Sequence, residues 1–275
     1  MLGERTLLMG VINVTPDSFA DGGVCLDPGQ ALDAALELEE AGADLLDVGG
    51  ESTRPGAQSL PVADECRRVL PVLERLARRV RVPVSIDTYK AEVAHRALDA
   101  GASVINDVSS LRYDPAIGRV AATAGAPLVL MHSRGRSNDM YREAHYDDVG
   151  AAVAREIASA LDVATSSGVA RSQIIVDPGL GFAKCADQTF RALADLRALA
   201  TLDRPVLVGP SRKSFLTSAL GDRSPSDREW GTAAAVTAAV LFGAHIVRVH
   251  AVAPHLDVVR VADAIRAHAS AEVPA

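Results

Sequence analysis

Eight short runs of Val, Ile, Leu and Met recur along the chain, and each stops abruptly in polar residues or glycine. In order they read GVINVTPDSF from Gly10, LLDVGGESTRPG from Leu45, VSIDTYK from Val84, VINDVSSL from Val104, LVLMHSRG from Leu128, IIVDPGLGF from Ile174, VLVGPSRKS from Val206 and IVRVH from Ile246. Apolar runs of this length fit strands buried on both faces, as in a parallel sheet. Helical patterns lie between them. Asp27 reads as an N-cap with Pro28 at the first helical position, and Ala31, Leu32, Ala35, Leu36 and Leu38 follow at helical spacing before Gly42. The junctions Gly101-Ala102, Gly125-Ala126 and Gly243-Ala244 repeat the same stop, a glycine cap followed by a strand.

Strand, polar loop, helix and glycine repeated in this way predict parallel βα units. The predicted strand ends, near Asn13, Asp47, Asp87, Asn106, Met131, Asp177, Gly209 and Arg248, stand about 19 to 46 residues apart, one βα unit each. Eight units in 275 residues predict a single-domain α/β fold, a (β/α)8 TIM barrel spanning 1–275. An open doubly wound sheet is the competing architecture, but no GxGxxG follows the first strand. The segment from Ala267 (AHASAEVPA) carries no packing pattern and is expected to fray.

Composition narrows the function classes. Hydrophobic residues make up 48% and aromatic residues only 4%, which predicts a core of Ala, Val and Leu. A net charge of −7, from 28 basic and 35 acidic side chains, argues against nucleic-acid or membrane-surface binding. Basic residues at strand ends are therefore expected to be local anion ligands. Cys25, Cys66 and Cys185 lack zinc spacing and read as reduced thiols. The apolar run 7–12 is too short for a membrane span and leads into NVTPDSF rather than a cleavage site, so a cytoplasmic location is expected.

In a barrel of this kind, groups at the C-terminal strand ends converge on one mouth. Asn13 and Asp21, in a loop rich in Pro, Asp, Ser and Gly, fit either an Asx turn or hard oxygen ligands for Mg²⁺ beside a phosphate. Arg54 fits a solvated surface arginine or, after Ser52 and Thr53, a phosphate clamp. Arg248 and His250 alternate and so face one side; an inward Arg points to an anion, because a buried unpaired charge is costly. His250 also fits a satisfied core histidine. Asp87, Asn106 and Asp177 close interior strands. Asp177 could simply cap the Pro178-Gly179 turn, but with Lys213 the set suits a flat heterocycle: carboxylate for N–H and NH₂, ammonium for a ring carbonyl, with Met131 and Phe182 as walls. The SRKS segment precedes a predicted helix and could offer backbone N–H groups, although GxxxxGK[ST] is absent.

Taken in order, NVTPDSFADGG, DVGGESTRPG, SIDTYK, INDVSSL, LMH, DPGLGFAK, GPSRKS and RVH resemble the dihydropteroate synthase family from about Leu7 to about Val261. The resemblance implies a (β/α)8 barrel that condenses 6-hydroxymethyl-7,8-dihydropterin pyrophosphate with 4-aminobenzoate, releasing pyrophosphate and 7,8-dihydropteroate. It implies a pterin pocket of Asp87, Asn106, Asp177 and Lys213, lined by Val108, Met131, Phe182 and Gly209. Pyrophosphate would meet Asn13, Thr53, Arg54, Arg248 and His250, with Mg²⁺ on Asn13 and Asp21. The aminobenzoate would lie against Phe19, Pro55 and Phe182, its carboxylate near Ser214. Lys213, Arg54, Arg248, Asp87 and Asp177 would carry catalysis. Sulfonamides would compete, and a homodimer is implied. A related pterin-binding methyltransferase acting on methyltetrahydrofolate, or a barrel that binds pterin without turnover, would have less use for the STRPG, SRKS and RVH segments. The chain departs from the family pattern at Ala183, where GFGK is usual, at Gln188-Thr189 and at Ala251, and it begins close to its first strand, so a less covered barrel floor is expected.

Overall fold

The computed structural model describes residues 3–15, 27–54 and 56–269, with the side chain of Glu143 excepted. Eight parallel strands form one sheet: β1 (Leu7–Asn13), β2 (Leu45–Gly49), β3 (Val84–Asp87), β4 (Val104–Asp107), β5 (Leu128–Met131), β6 (Ile174–Asp177), β7 (Leu207–Val208) and β8 (Ile246–Val249). The strand order is β6-β5-β4-β3-β2-β1-β8-β7, and a parallel bridge between Val176 and Val206 joins the two ends. The sheet thus closes into the expected barrel. Around it lie α1 (Pro28–Glu40), α2 (Val62–Leu76), α3 (Ala91–Asp99), α4 (Ala116–Ala124), α5 (Val149–Ser166), α6 (Ala186–Ala194), the single turn α7 (Thr217–Leu220), α8 (Glu229–Leu241) and α9 (Val252–Ala269).

The local signals act as their chemistry demands. Asp27 accepts from the Gln30 N–H at the start of α1, with Pro28 in the first turn. Gly101 after α3 sits at φ +108°, and a Cβ there would stand 2.4 Å from the Ala77 Cβ, so only glycine lets the chain turn into β4 at this packing distance. Two expectations change. The SRKS segment leads into a 3-10 turn (Ser214–Leu216) and α7 rather than a regular helix, which begins only at Glu229. The C-terminal helix α9 continues through Ala269, past the expected fraying point at Ala267.

Alternation divides the strand residues between two cores. Outward side chains such as Leu46, Ile86, Ile105, Leu130, Val176, Val208 and Val247 pack under the helices. Inward ones, Leu7, Met9, Leu45, Val104, Val129, Ile175, Leu207 and Ile246, form a separate cluster inside the barrel. None of these eight exceeds 8% exposure, so the inside of the barrel below the mouth is closed rather than open. Two residues further along the same inward rows stand Asp47, Asn106, Met131, Asp177, Gly209 and Arg248, with Asp87 on β3. An apolar ring below therefore carries a polar ring at the mouth.

Candidate active site

The polar ring is held together by ion pairs and hydrogen bonds across the barrel. Arg248 donates its Nε–H to Asp47 Oδ2 at 2.7 Å and a terminal N–H to Asp87 Oδ2 at 3.1 Å. Asn106 donates its amide to the same Asp47 oxygen at 3.0 Å. The other Asp47 oxygen is buried without a hydrogen-bond partner among the described residues. Two carboxylates compensate Arg248, while its side chain stays 20% exposed to the mouth, where an anion can still reach it. Burial, with the Asp47 charge beside it, pushes the Asp87 carboxyl above its usual range, and Arg248 opposes this. Asp47 escaped the reading of single residues, although its position two places beyond Leu45, in the row of the other site groups, was a usable signal.

On the opposite wall Asp177 closes β6. Its Oδ1 accepts the Gly179 N–H at 2.7 Å, so it does cap the turn, and it faces Lys213 as well. Gly179 has φ +63°, and a Cβ would lie 1.9 Å from the His132 carbonyl oxygen, which leaves no alternative residue. Burial raises the Asp177 pKa, opposed by the Lys213 charge. Burial lowers the Lys213 ammonium to about 8, opposed by Asp177. Lys213 Nζ donates to the Leu180 carbonyl at 2.6 Å and lies 4.7 Å from the centre of the Phe182 ring. A Cβ on Gly209 would come within 3.9 Å of both Lys213 Nζ and Arg248 Cδ, so the bare glycine keeps space between these two cations. Met131 and Val108 are buried on neighbouring strand ends.

A carboxylate beside an ammonium on one wall, with a carboxylate and an amide on the other, suits a flat heterocycle. The comparisons agree. Residues 9–250 match the pterin binding enzyme family. The chain is 43% identical to a dihydropteroate synthase of Synechocystis over 263 residues, 96% of this chain and 91% of that protein. The chain belongs to the dihydropteroate synthase family. A Yersinia pestis dihydropteroate synthase solved as a sulfonamide drug complex has a TM-score of 0.91 at 39% identity, covering 96% of this chain and 95% of that one. The Xanthomonas albilineans dihydropteroate synthase in complex with 7,8-dihydropteroate has a TM-score of 0.85 at 39% identity, covering 98% and 95%.

Within this dihydropteroate synthase barrel the third group of residues stands higher in the mouth. His250, one residue past β8, places Nδ1 at 2.9 Å from Ser211 Oγ, which in turn accepts the His250 backbone N–H at 3.2 Å. Burial and then the Arg248 charge hold the imidazole neutral, its pKa down at about 3. In the neutral ring one nitrogen carries the proton and the other accepts, with Ser211 able to serve either role at Nδ1. The Arg54 side chain is exposed, yet its charge reaches His250. Thr53 is half-buried in the same loop, whose Gly56 N–H donates to the Ser137 carbonyl at 2.7 Å. Ser214 opens the 3-10 turn after Lys213. Arg212 pairs with Glu229, and its charge also reaches His250. Phe19, Asp21 and Pro55 lie outside the described residues. Asn13, at the end of β1, aims its amide oxygen at the space above Gly49, where a Cβ would lie 3.9 Å from it and 3.7 Å from Asp87 Oδ2.

Behind Asp177 is a second buried group that the sequence did not single out. Lys184, only 1% exposed, donates to His132 Nδ1 at 2.8 Å and to the carbonyls of Gly179 and Phe182 at 3.0 Å each. No local pattern marks such a lysine, because its partners come from β5 and from its own loop. Beside it the fully buried Ala183 sits at φ +49°.

Proposed function

We infer that this chain condenses 6-hydroxymethyl-7,8-dihydropterin pyrophosphate with 4-aminobenzoate, forming 7,8-dihydropteroate and pyrophosphate for folate synthesis. The observation that carries the reading is the polar ring itself: Asp177 and Lys213 on one wall, with Asp87, Asn106 and Arg248 across the mouth. Asp177 would accept the pterin's ring N–H and amino group, Lys213 would donate to its carbonyl, and Asn106 and Asp87 would take the remaining edge. Val108, Met131, Phe182 and Gly209 would bound the ring plane.

The leaving group would be met by Thr53, Arg54, Arg248 and His250. A neutral His250 can donate a hydrogen bond without adding a third cation. The electron-rich dihydropterin delocalises a methylene cation as its C–O bond breaks, so stabilising the departing anion is the main task of the site. The aryl amine, held against Phe182 with its carboxylate near Ser214, then attacks that carbon and gives up a proton. Closure of the loop carrying Arg54 would exclude water, which would otherwise capture the cation.

Mg²⁺ is the cofactor we infer, on Asn13 and Asp21 with phosphate oxygens. The Asn13 amide oxygen stands at the end of β1 beside Gly49, and a hard oxygen of this kind fits the ion. Bound Mg²⁺ would supply electrostatic stabilisation of the departing pyrophosphate. We also infer 4-aminobenzoate-like sulfonamides as competitors, a cytoplasmic location and a homodimer. No described helix is long and apolar enough to cross a membrane. Trp230 on α8 and Val261 and Ile265 on the adjacent α9 leave exposed apolar side chains for a second copy.

Pyrophosphate release on mixing both substrates with Mg²⁺, lost on omission of either substrate, tests the reading. Asp177→Asn should weaken pterin pyrophosphate by roughly 2–4 kcal/mol, because an amide donor then faces an N–H. Unchanged pterin affinity in a folded variant, measured by titration calorimetry, would remove Asp177 from this role.

A further inference from the structure

The buried Lys184 belongs to a chain of contacts that joins the two walls between which the aminobenzoate is placed. On one side is the loop after β6. Its Gly179 and Phe182 carbonyls accept from Lys184, its Leu180 carbonyl accepts from Lys213, and its Ala183 carbonyl accepts from Tyr146 Oη at 3.0 Å. Three acceptors around Nζ match the three N–H bonds of an ammonium, so Lys184 holds the backbone on both sides of Phe182. On the other side His132 passes the contact outward. Its Nδ1 faces Lys184 and its Nε2 lies 3.0 Å from Glu156 Oε2. Burial and then the Lys184 charge hold this imidazole neutral, near pKa 4, so Nδ1 accepts and Nε2–H donates. Glu156 also binds Arg134, whose guanidinium stacks 4.0 Å from the centre of the Tyr146 ring. The same β5–α5 loop continues to Ser137, whose carbonyl accepts the Gly56 N–H and whose hydroxyl reaches the Thr53 carbonyl at 3.5 Å.

We propose that Lys184, acting through His132, Glu156 and Arg134, is a positioning residue that sets the spacing between the Phe182 wall and the Thr53–Gly56 loop, and so tunes the site for 4-aminobenzoate. This rests on the functional reading above. Burial lowers the Lys184 ammonium to about 7, opposed by Asp177. Its bonds to two carbonyls and a neutral ring, rather than to a direct carboxylate, fix backbone positions by direction. The pterin contacts through Asp87 and Asn106, at the ends of β3 and β4, do not pass through it.

The test is steady-state kinetics of the full chain with both substrates, together with calorimetric binding of pterin pyrophosphate. Lys184→Met should raise the KM for 4-aminobenzoate about tenfold, with pterin affinity held within about threefold. Should that variant fail to fold, Glu156→Gln, at a partly exposed position, should raise the same KM several-fold and leave kcat unchanged. In the double variant the two effects should fall well short of additive, since one chain of contacts is cut twice. Unchanged KM for 4-aminobenzoate in both variants overturns the proposal. So does a parallel loss of pterin affinity, which would show general loosening, and so do fully additive effects. A parent chain that releases no pyrophosphate would overturn the functional reading instead.

Discussion

Inside one barrel, two rings of side chains solve opposite problems. The lower ring, Leu7, Met9, Leu45, Val104, Val129, Ile175, Leu207 and Ile246, is apolar and closed. The upper ring, one alternation step towards the strand C-termini, packs Asp47, Asp87 and Arg248 into contact and keeps Asp177 beside Lys213. The first gains from every methylene removed from water. The second bears desolvation costs that its ion pairs offset only when all partners are present. The same strands thus store stability at one end and spend some of it on a binding surface at the other.

Truncating the lower ring should have the largest effect. Leu207→Ala, at a fully buried position on the two-residue strand β7, should cost about 2–5 kcal/mol in urea unfolding. Pterin affinity of the folded variant should stay near that of the parent, and a large loss would mean that the rings are not separable. In the upper ring, Arg248→Met strands Asp47 and Asp87 without their cation. Removing one partner of a buried pair is costly, and the partial exposure of Arg248 keeps the expected cost near the low end, about 3 kcal/mol. A loss below about 1 kcal/mol in the same measurement would show that the carboxylates are compensated otherwise.

The rings should also part company with pH. The lower ring does not titrate. His250 at the mouth keeps its folded pKa at about 3, against about 6.5 unfolded, so the unfolded chain takes up a proton that the folded one refuses. Its contribution is fully present above pH 6.5 and is lost as pH falls towards 3. Asp87 works in the opposite sense, its raised carboxyl favouring the folded state as pH falls. Comparison with His250→Asn isolates the histidine: between pH 7 and pH 5 the parent should lose about 1–2 kcal/mol more stability than the variant. Equal losses would show that His250 is charged in the folded chain. The smallest effect belongs to Ala183, where Gly would relieve a left-handed backbone and add about 0.5–1 kcal/mol, visible as a rise in Tm. No rise would mean that the buried methyl offsets the strain.

Much of this architecture was open to reading along the chain. The period of two that separates Leu45 from Asp47, Val104 from Asn106, Ile175 from Asp177 and Ile246 from Arg248 is written locally, and it sorts inward from outward residues before any strand is paired. The Asp27-Pro28 cap and the glycine stops are equally local. Alternation puts Arg248 inside the mouth, but its carboxylate partners carry no local signal, because Asp47 lies 201 residues away and Asp87 161 residues away. Lys184 stands in the DPGLGFAK segment, but a lysine in a loop gives no hint that an imidazole 52 residues earlier will stand 2.8 Å from its nitrogen.

By itself the sequence determined eight strands, their facing and the kinds of group delivered to the mouth, because alternation, capping and glycine geometry act over a few residues. Only the tertiary structure decided which of those groups compensate one another. Ion pairing depends on distances that exist once the sheet has closed from β6 round to β7, and no stretch of chain holds that closure within itself.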